Sequence, residues 1–597
     1  MPSTLSYPGV YIEEVPSGVR TVTGVATSIT AFVGYTAKGP LDRPVRIFNY
    51  GDYEREFGGL HRDSDVSYAV QQFFMNGGGD AYVVRIAAGA AAASIDLLDG
   101  DGDLALTVRA NSAGVWGNAL RVSVDYATTN PFSTFNLAVV RVNALGEEVE
   151  REEFRNLSMN SRSPNYVVGA VNAGSRLVRV ERPALGLADA TDRGFSVGSG
   201  DMTGVTPDPT HSTIAGFLNG SEPFEITMTP PFAAGPSGTN GIVARLNAAI
   251  QAKSLDQRLE AARTKADGTG TGNFITLRSL HKATDPSTRA EFSSVTVVPA
   301  AANDASALLK LGAAQGGREV EGASVSRPMP GGTTGGDLLL SVPVAGTLSI
   351  TIMDQVSGGP AVTLLGTTAL AAVAATPPGP ALAAALESAI HNILPPTPVA
   401  ADVRVEYAGD RLRVYLPELE YPHAVISFSG GDATNFRLPT APAPAMNVQQ
   451  YALGIAANVG AQDNAVRGAD GTPPGPTEYL GSQAAKTGIW ALRDVDLFNL
   501  LCLPGAYRLQ APQDIVLQAA ISLCEQERAF LIVDAPSDAT LTTIVPWAAN
   551  LTKSSYAAVY FPWIQAADPL DNFRLRSMPP SGAIAGVFAR TDGQRGV

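Results

Sequence analysis

Tyr556-Ala-Ala-Val-Tyr-Phe-Pro-Trp-Ile564 and, after an acidic turn at Asp568-Pro569, Pro579-Pro-Ser-Gly-Ala-Ile-Ala-Gly-Val-Phe-Ala-Arg-Thr-Asp592 and Arg595-Gly-Val597 decide the reading of the whole chain. Tyr556, Ala558 and Tyr560 alternate with Ala557, Val559 and Phe561, a two-residue period that suits a strand in a covered sheet. Pro562 and Trp563 end that strand. Pro579-Pro-Ser-Gly582 is a break with a helix start built in, because proline tolerates the first helical turn and Ser581 can cap it. A short apolar helix is expected over Ala583–Ala589, packed closely through Ala585 and Gly586.

Working outward, residues 496–503, 512–527, 529–534, 538–550 and 556–561 read strand, helix, strand, helix, strand. Parallel strands with helical crossovers are covered on both faces, which accounts for the near-continuous apolar runs Leu497–Leu503 and Ala529–Val533. Near the other end, strands are expected at Val25–Gly34 and Asp80–Ile86. Lys38-Gly-Pro40 is a turn, and Tyr53–Phe57 a short amphipathic turn. A helix over Ser67–Met75 stops at Asn76-Gly-Gly-Gly79. The fold class that follows is multidomain. A discontinuous α/β core with a βαβαβ-type sheet is built from 25–90 and 480–597. Between its parts lie an inserted β-rich domain (91–199), two α+β modules (200–325 and 326–446) and a linker (447–479). Residues 1–24 form an N-terminal extended arm.

In that arm Tyr7-Pro-Gly-Val-Tyr-Ile-Glu-Glu-Val-Pro16 is an extended segment bracketed by prolines. Spacing leaves two readings open: an edge strand of its own domain, or a strand given to another chain by edge addition.

The two modules rest on an internal duplication. Phe224–Met228 matches Leu348–Ile352, Leu246–Ile250 matches Leu386–Ile390, Ile275–Leu277 matches Val414–Leu416, and Leu309–Leu311 matches Phe436–Leu438. The order strand, Gly/Pro loop, helix, strand, strand is kept in each copy.

Several motifs together resemble the sheath proteins of contractile phage tails and of the related bacterial contractile injection systems. They are Y-A-A-x-Y-F-P-W-I (556–564), P-P-S-G-x-x-A-G-V-F-A-R-T-D (579–592) and R-G-V (595–597), with T-S-x-x-x-F-V-G (27–34), F-G-G (57–59) and A-Y-V-V-R (81–85). To these are added G-x-W-G-N (114–118), D-G (470–471) and, at the start, S-x-P-G-V-Y-I-x-E (6–14). The resemblance implies a structural subunit that stacks with itself as hexameric rings in a helical tube around an inner tube protein and contracts to drive that tube through an envelope. Baseplate and terminator or cap proteins are the further partners implied. Assembly in the bacterial cytoplasm and a place in a virion tail or injection particle go with them. It also implies strand exchange between neighbours, with Val10, Tyr11, Ile12, Glu13 and Glu14 as the donor strand. Contraction would need no nucleotide, its free energy being held in a metastable extended assembly. Sheath proteins run on from R-G-V into W-K-A-P-A, so the chain is expected to be truncated at Val597, without its C-terminal arm and inner-tube-facing elements. These motifs do not separate phage tail from injection system.

Composition bounds the alternatives. With 597 residues, 45% of them hydrophobic and 16% charged, the chain can bury several cores and is not a disordered one. Net charge is −14 without a Lys/Arg block, against phosphate-backbone binding, so no nucleic-acid partner is expected. Cys502 and Cys524 sit in apolar surroundings and read as buried free thiols. Without a run of about eighteen apolar residues no membrane insertion is expected.

Chemistry is hard to find. Ala529-Phe-Leu-Ile-Val-Asp534 resembles a nucleotide-site strand ending in Asp, but no G-x-x-x-x-G-K-[ST] loop accompanies it. Asp534 therefore reads as a helix-capping or turn residue. Gly268-Thr-Gly-Thr-Gly272 follows a helix and precedes a strand, the reverse of a dinucleotide loop. Asp99-Gly-Asp-Gly-Asp103 lacks the later glycine and glutamate of a calcium loop. His61, His211, His281, His391 and His423 are scattered without zinc spacing. No catalytic residue, cofactor or metal is expected, and the chain is read as not an enzyme. The alternative class is a surface-exposed, adhesin-like binding protein with duplicated modules. A nucleotide-binding enzyme is a third, disfavoured by the missing phosphate loop.

Overall fold

The computed structural model describes residues 28–99, 103–183, 194–266, 268, 270–280, 292–331, 333–335, 338, 346–354, 361–373, 379–408, 411–417, 420–421, 424–440, 450–454, 465–509 and 513–596. Val10–Glu14, the expected donor strand, lie outside these, as do His281 and His423. The chain forms two compact units, Met1–Ala88 with Thr472–Val597, and Gly89–Gly471. The result is a multidomain α/β protein with several sheets.

The first unit holds strands β1 (Thr30–Gly34), β2 (Pro44–Ile47), helices α1 (Tyr50–Phe57) and α2 (Asp65–Met75), and β3 (Ala81–Arg85). From the later segment come β4 (Leu500–Cys502), α3 (Gln513–Glu527), β5 (Phe530–Asp534), α4 (Ile544–Asn550), β6 (Ala557–Tyr560), β7 (Ile564–Asp568), β8 (Arg574–Met578) and α5 (Ser581–Arg595). Six strands make one sheet in the order β2-β3-β1-β4-β5-β6, with β2 antiparallel to β3 and the other pairs parallel. Register carries one row across it: Val45, Val83, Phe32, Cys502, Ile532 and Ala558.

Alternation then sorts the side chains. Phe32, Val83, Cys502 and Ile532 pack with Val66, Val70 and Phe73 of α2 and Ala585 of α5. Ala31, Val33, Leu501, Leu531 and Val533 meet Val516, Leu517, Ala520, Ile521 and Cys524 of α3 on the other face. Both faces are covered, the condition that near-continuous apolar strands require.

Local differences from the sequence expectation have physical reasons. Helix α5 runs to Arg595, well past Ala589, because its second half is exposed and carries no apolar period. Helix α4 begins at Ile544 rather than 538: Thr540 and Thr543 hydrogen-bond each other's backbone and side chains, competing with the helix. The segment around the acidic turn is a β-hairpin, β7 with β8, where only a turn is expected from sequence. Tyr50–Phe57 is a full helix capped by Asn49.

In the second unit, strands Leu120–Asp125, Phe135–Val142 and Glu148–Leu157 with Tyr451–Ala452 form one sheet. Ser94–Leu98, Leu104–Ala110 and Val178–Glu181 form another, and both close on a shared core. The turn at 114–118 is held by the 467–471 stretch. Asn118 exchanges two hydrogen bonds with the Gly468 backbone (2.8 and 3.1 Å), and Asp470 accepts from the Val115 N–H at 2.7 Å. Residues 466–472 also bridge antiparallel to 88–94, so this stretch is a pairing element where a linker is expected.

One arrangement occurs twice beyond this. Strands 222–227, 213–218 and 295–298 form a sheet in that order, as do 362–369, 349–354 and 424–429. Strands 259–264, 274–279 and 195–197 are likewise matched by 404–408, 411–415 and 333–334. Helices Ile242–Ala252 and Pro380–His391 correspond, with Leu246 and Leu386, Ile250 and Ile390 all buried. Asn247 accepts from the Ala261 N–H at 2.9 Å, and Glu387 accepts from the Val405 N–H at 2.8 Å, each pinning the next strand. Lys310 and Arg437 both take positive φ (54° and 53°).

Two of the sequence matches are corrected. Residues 348–352 belong to a central strand, so their counterpart is 213–218, not the edge strand that contains Phe224. The Gly198 N–H donates to the Ile275 carbonyl and the Gly335 N–H to that of Leu412, so Ile275 corresponds to Leu412 rather than Val414. A two-residue shift keeps the same face, which is why a period-two pattern cannot detect it.

Candidate functional site

In the six-stranded sheet the chain leaves β1 toward β3 in one direction and β4 toward β5 and β6 in the other. The β1–β4 boundary is thus a topological switch point, where open α/β sheets offer a crevice beyond the strands' carboxyl ends. Here the loops after Gly34 and Cys502 enclose protein side chains. Asp65, at the start of α2 and 5% exposed, accepts from Arg508 Nε at 2.7 Å and lies 3.7 Å from Arg576 Nη2. Its bond raises the Arg508 pKa. The Tyr479 ring is buried beneath, and a Cβ at Gly505 would lie 2.9 Å from its hydroxyl.

Asp534 ends β5, beside this cluster. It accepts from the Ser581 N–H at 2.8 Å and from the Ser581 hydroxyl at 2.6 Å. Burial pushes its carboxyl up to about 7; the Ser581 bonds oppose that and the Asp65 charge adds to it. A carboxylate on the first N–H groups of a helix is a cap, here supplied from a residue far upstream in place of Ser581 itself. Ser581 is fully buried, so the pair is a latch on α5 rather than an exposed nucleophile.

The β7–β8 hairpin is tied to the same helix α2. Asp568 accepts from the Tyr68 hydroxyl and the Leu570 N–H, both at 2.9 Å, and Arg576 Nη1 stands 3.5 Å from its Oδ2. Burial raises the Asp568 pKa, but these three partners outweigh it and hold the carboxyl below its ordinary value. Burial and Asp568 together push Tyr68 up to about 12. The Arg576 guanidinium lies 4.3 Å over the Tyr68 ring and donates to the Arg62 carbonyl at 2.9 Å, and Arg62 donates to the Leu570 carbonyl at 3.0 Å.

At the tip, Asn572 and Phe573 have φ of 50° and 59°. Asparagine tolerates this region, while the phenylalanine costs ~1–2 kcal/mol there. The Phe573 N–H donates to the Asp568 carbonyl at 2.9 Å, yet the residue is 71% exposed and nearby Leu575 72%. Among the described residues no third strand joins this hairpin, and β6 is paired on one side only. Beside β6 lies a cavity of about 250 Å3 walled by Leu517, Ile521, Val533, Leu551 and Val559, with Asp514 and Lys553 also lining it.

Of the residues singled out by sequence, Asp534 caps a helix, and Cys502 and Cys524 are buried and free. The His211 ring meets Asp208 at 3.0 Å and His391 the Val403 carbonyl at 2.7 Å; His61 is elsewhere. Among the described residues no group of three His, Cys, Asp or Glu could hold a metal, and no helix is long and apolar enough to cross a membrane. Sequence reasoning missed Asp65, Tyr68, Arg508 and Arg576, because their convergence spans over 500 positions without a local pattern.

No protein-family profile matches the chain, and no curated protein does. Among solved structures, a sheath tail protein from Listeria innocua is similar at 16% identity over 27% of this chain and 31% of that one, with a TM-score of 0.19. A sheath tail protein from Desulfitobacterium hafniense is similar at 14% identity over 30% of this chain and 35% of that one, also at 0.19. The chain thus matches about a third of the length of each, and the likeness is local.

Proposed function

We propose that this chain is a structural subunit of a contractile tail sheath. In this reading it stacks with itself as hexameric rings around an inner tube protein, between a baseplate and a terminator, and contracts. One observation carries the reading. Motif residues from distant parts of the sequence build one sheet and its latch: Phe32-Val-Gly34 on β1, Ala81–Arg85 on β3, 557–560 on β6, and Pro579-Pro-Ser-Gly at the start of α5. The reading assigns no catalytic residue and no cofactor.

Strand exchange is the finer part of the proposal. A two-stranded hairpin is marginal by itself and its unpaired edges are templates for another strand. Here the hairpin is fastened to α2 by Asp568 and Arg576, so an arriving strand would meet a fixed partner. Val10–Glu14 of a neighbouring subunit is the proposed donor. Negative-stain microscopy of the full chain and of the chain lacking residues 1–16 tests this: tubes are expected from the first alone. Equal tubes from both would remove strand exchange from the account.

The recurring module favours a second reading, a surface-exposed binding protein. Retention of the 195–440 region on a glycan or receptor surface, with no self-assembly of the full chain, would favour it over the first.

A further inference from the structure

We infer that Phe573 at the hairpin tip of one subunit seats in the cavity beside β6 of a second copy. The inference rests on the proposal that the chain assembles with itself, and it adds a contact separate from strand exchange.

Three observations carry it. First, the tip is built to hold an aromatic ring outward. Asn572 and Phe573 both occupy the left-handed region, and the Phe573 N–H is fixed to the Asp568 carbonyl. Asp568 in turn is bonded to Tyr68 of α2, and Arg62 holds the Leu570 carbonyl. Strain of this kind persists where the surroundings over-determine it and tends to serve a contact. An exposed aromatic whose backbone is already ordered loses little freedom on binding, the property of an interface anchor.

Second, the same unit carries a hole of matching chemistry. The cavity of about 250 Å3 has Leu517, Ile521, Val533 and Val559 on its walls, with Gln518 and Thr552 among the polar groups that also line it. A cavity of ~150 Å3 accepts benzene, so a phenyl side chain fits here by volume and meets the aliphatic part of the wall. Phe573 is 71% exposed, so it does not fill the cavity of its own chain.

Third, charge complements shape. Asp571 and Arg574 flank Phe573, and Asp514 and Lys553 line the hole. An entering tip brings Arg574 toward Asp514 and Asp571 toward Lys553. Knob and hole are different residues of one chain, so every copy carries both and the contact can pass from copy to copy.

The test uses the full chain in two exposed-site variants, Phe573→Cys and Gln518→Cys, the second at the cavity wall. The native thiols Cys502 and Cys524 are buried and stay silent. Mild oxidation of the mixed, assembled variants is expected to give a 573–518 linked pair that neither variant forms alone. Phe573→Ser is expected to raise the critical concentration for assembly at least tenfold while leaving the thermal midpoint unchanged or higher. Tubes with an unchanged critical concentration and no 573–518 link overturn the inference. So does capture of position 573 by a different protein. Removing residues 1–16 keeps the two claims apart. A 573–518 link in tubes that do not need residues 1–16 ends strand exchange and keeps the contact. Tubes that need residues 1–16 but never show the link keep strand exchange and end the contact. A chain that stays monomeric under every condition ends both.

Discussion

Asp534 and Ser581 stand 47 residues apart and share two hydrogen bonds, carboxylate to N–H at 2.8 Å and carboxylate to hydroxyl at 2.6 Å. This pair fastens the first turn of the last helix to the carboxyl end of a central strand. It makes α5 part of the sheet's architecture and brings Gly582 and Gly586 against α2.

Asp534 gives a pH signature. Its carboxyl titrates at about 7 in the folded chain against 3.8 for the free group, so the folded state prefers the proton. The associated stability is full below about pH 4 and is lost as pH rises through 7, a change on the order of a few kcal/mol. Asp534→Asn keeps an acceptor for the Ser581 N–H but does not titrate. Urea melts of both proteins between pH 4 and 8 are expected to show a falling profile for the native chain and a flatter one for the variant. Parallel profiles would show that Asp534 does not titrate in this range.

Asp568 behaves oppositely. The lowered pKa of Asp568 contributes stability above the free carboxyl value, which is lost as pH falls through the folded value. Arg576→Met removes the guanidinium shared by two buried carboxylates and is expected to cost ~1–3 kcal/mol. Since Asp65 keeps Arg508 and Asp568 keeps Tyr68, the fold is expected to survive, with faster amide exchange in β7 and β8 as the readout.

Helix α5 contains its own control pair. A Cβ on Gly582 would come within 2.2 Å of the Ala69 carbonyl oxygen, so Gly582→Ala must push α5 off α2, at ~1–3 kcal/mol. Gly593 has nothing within 4 Å of the same position, and Gly593→Ala is expected to stabilise by ~0.5–1 kcal/mol through helix propensity alone. Thermal midpoints moving in opposite directions would bear out this packing.

The equivalence of Asn247 and Glu387 is also measurable. Each fixes the backbone of the strand after its helix, so Asn247→Ala and Glu387→Ala are each expected to cost ~1 kcal/mol, with local loss of exchange protection at Ala261 or Val405. Loss at one site without the other would break the equivalence.

What could be read from the sequence follows from the length scale of the signal. The apolar runs at 497–503 and 529–533 mark strands covered on both faces, and the packing of Cys502 and Ile532 on one side and of Leu501, Leu531 and Val533 on the other bears that out. Asp534 was readable as a cap because an acidic residue ending a strand, with no phosphate loop, has little else to do. The β7–β8 hairpin was not readable: Ile564 to Asp568 is half polar, and the tip residues Asn572 and Phe573 are an unusual pair for positive φ. Nor was the Asp65–Arg508–Arg576 cluster, which exists only after the sheet brings three separate segments together. The duplication was legible at its buried helix positions and misaligned in its strands, because a period of two carries no marker of edge or centre.

The central proposal is that this chain is a sheath subunit. Electron cryo-microscopy of the chain mixed with an inner tube protein of a contractile tail tests that most directly. The account predicts hollow helical tubes of stacked rings that sleeve the inner tube and shorten on a trigger. Dispersed monomers beside bare inner tubes, under conditions in which both proteins are folded, would contradict it.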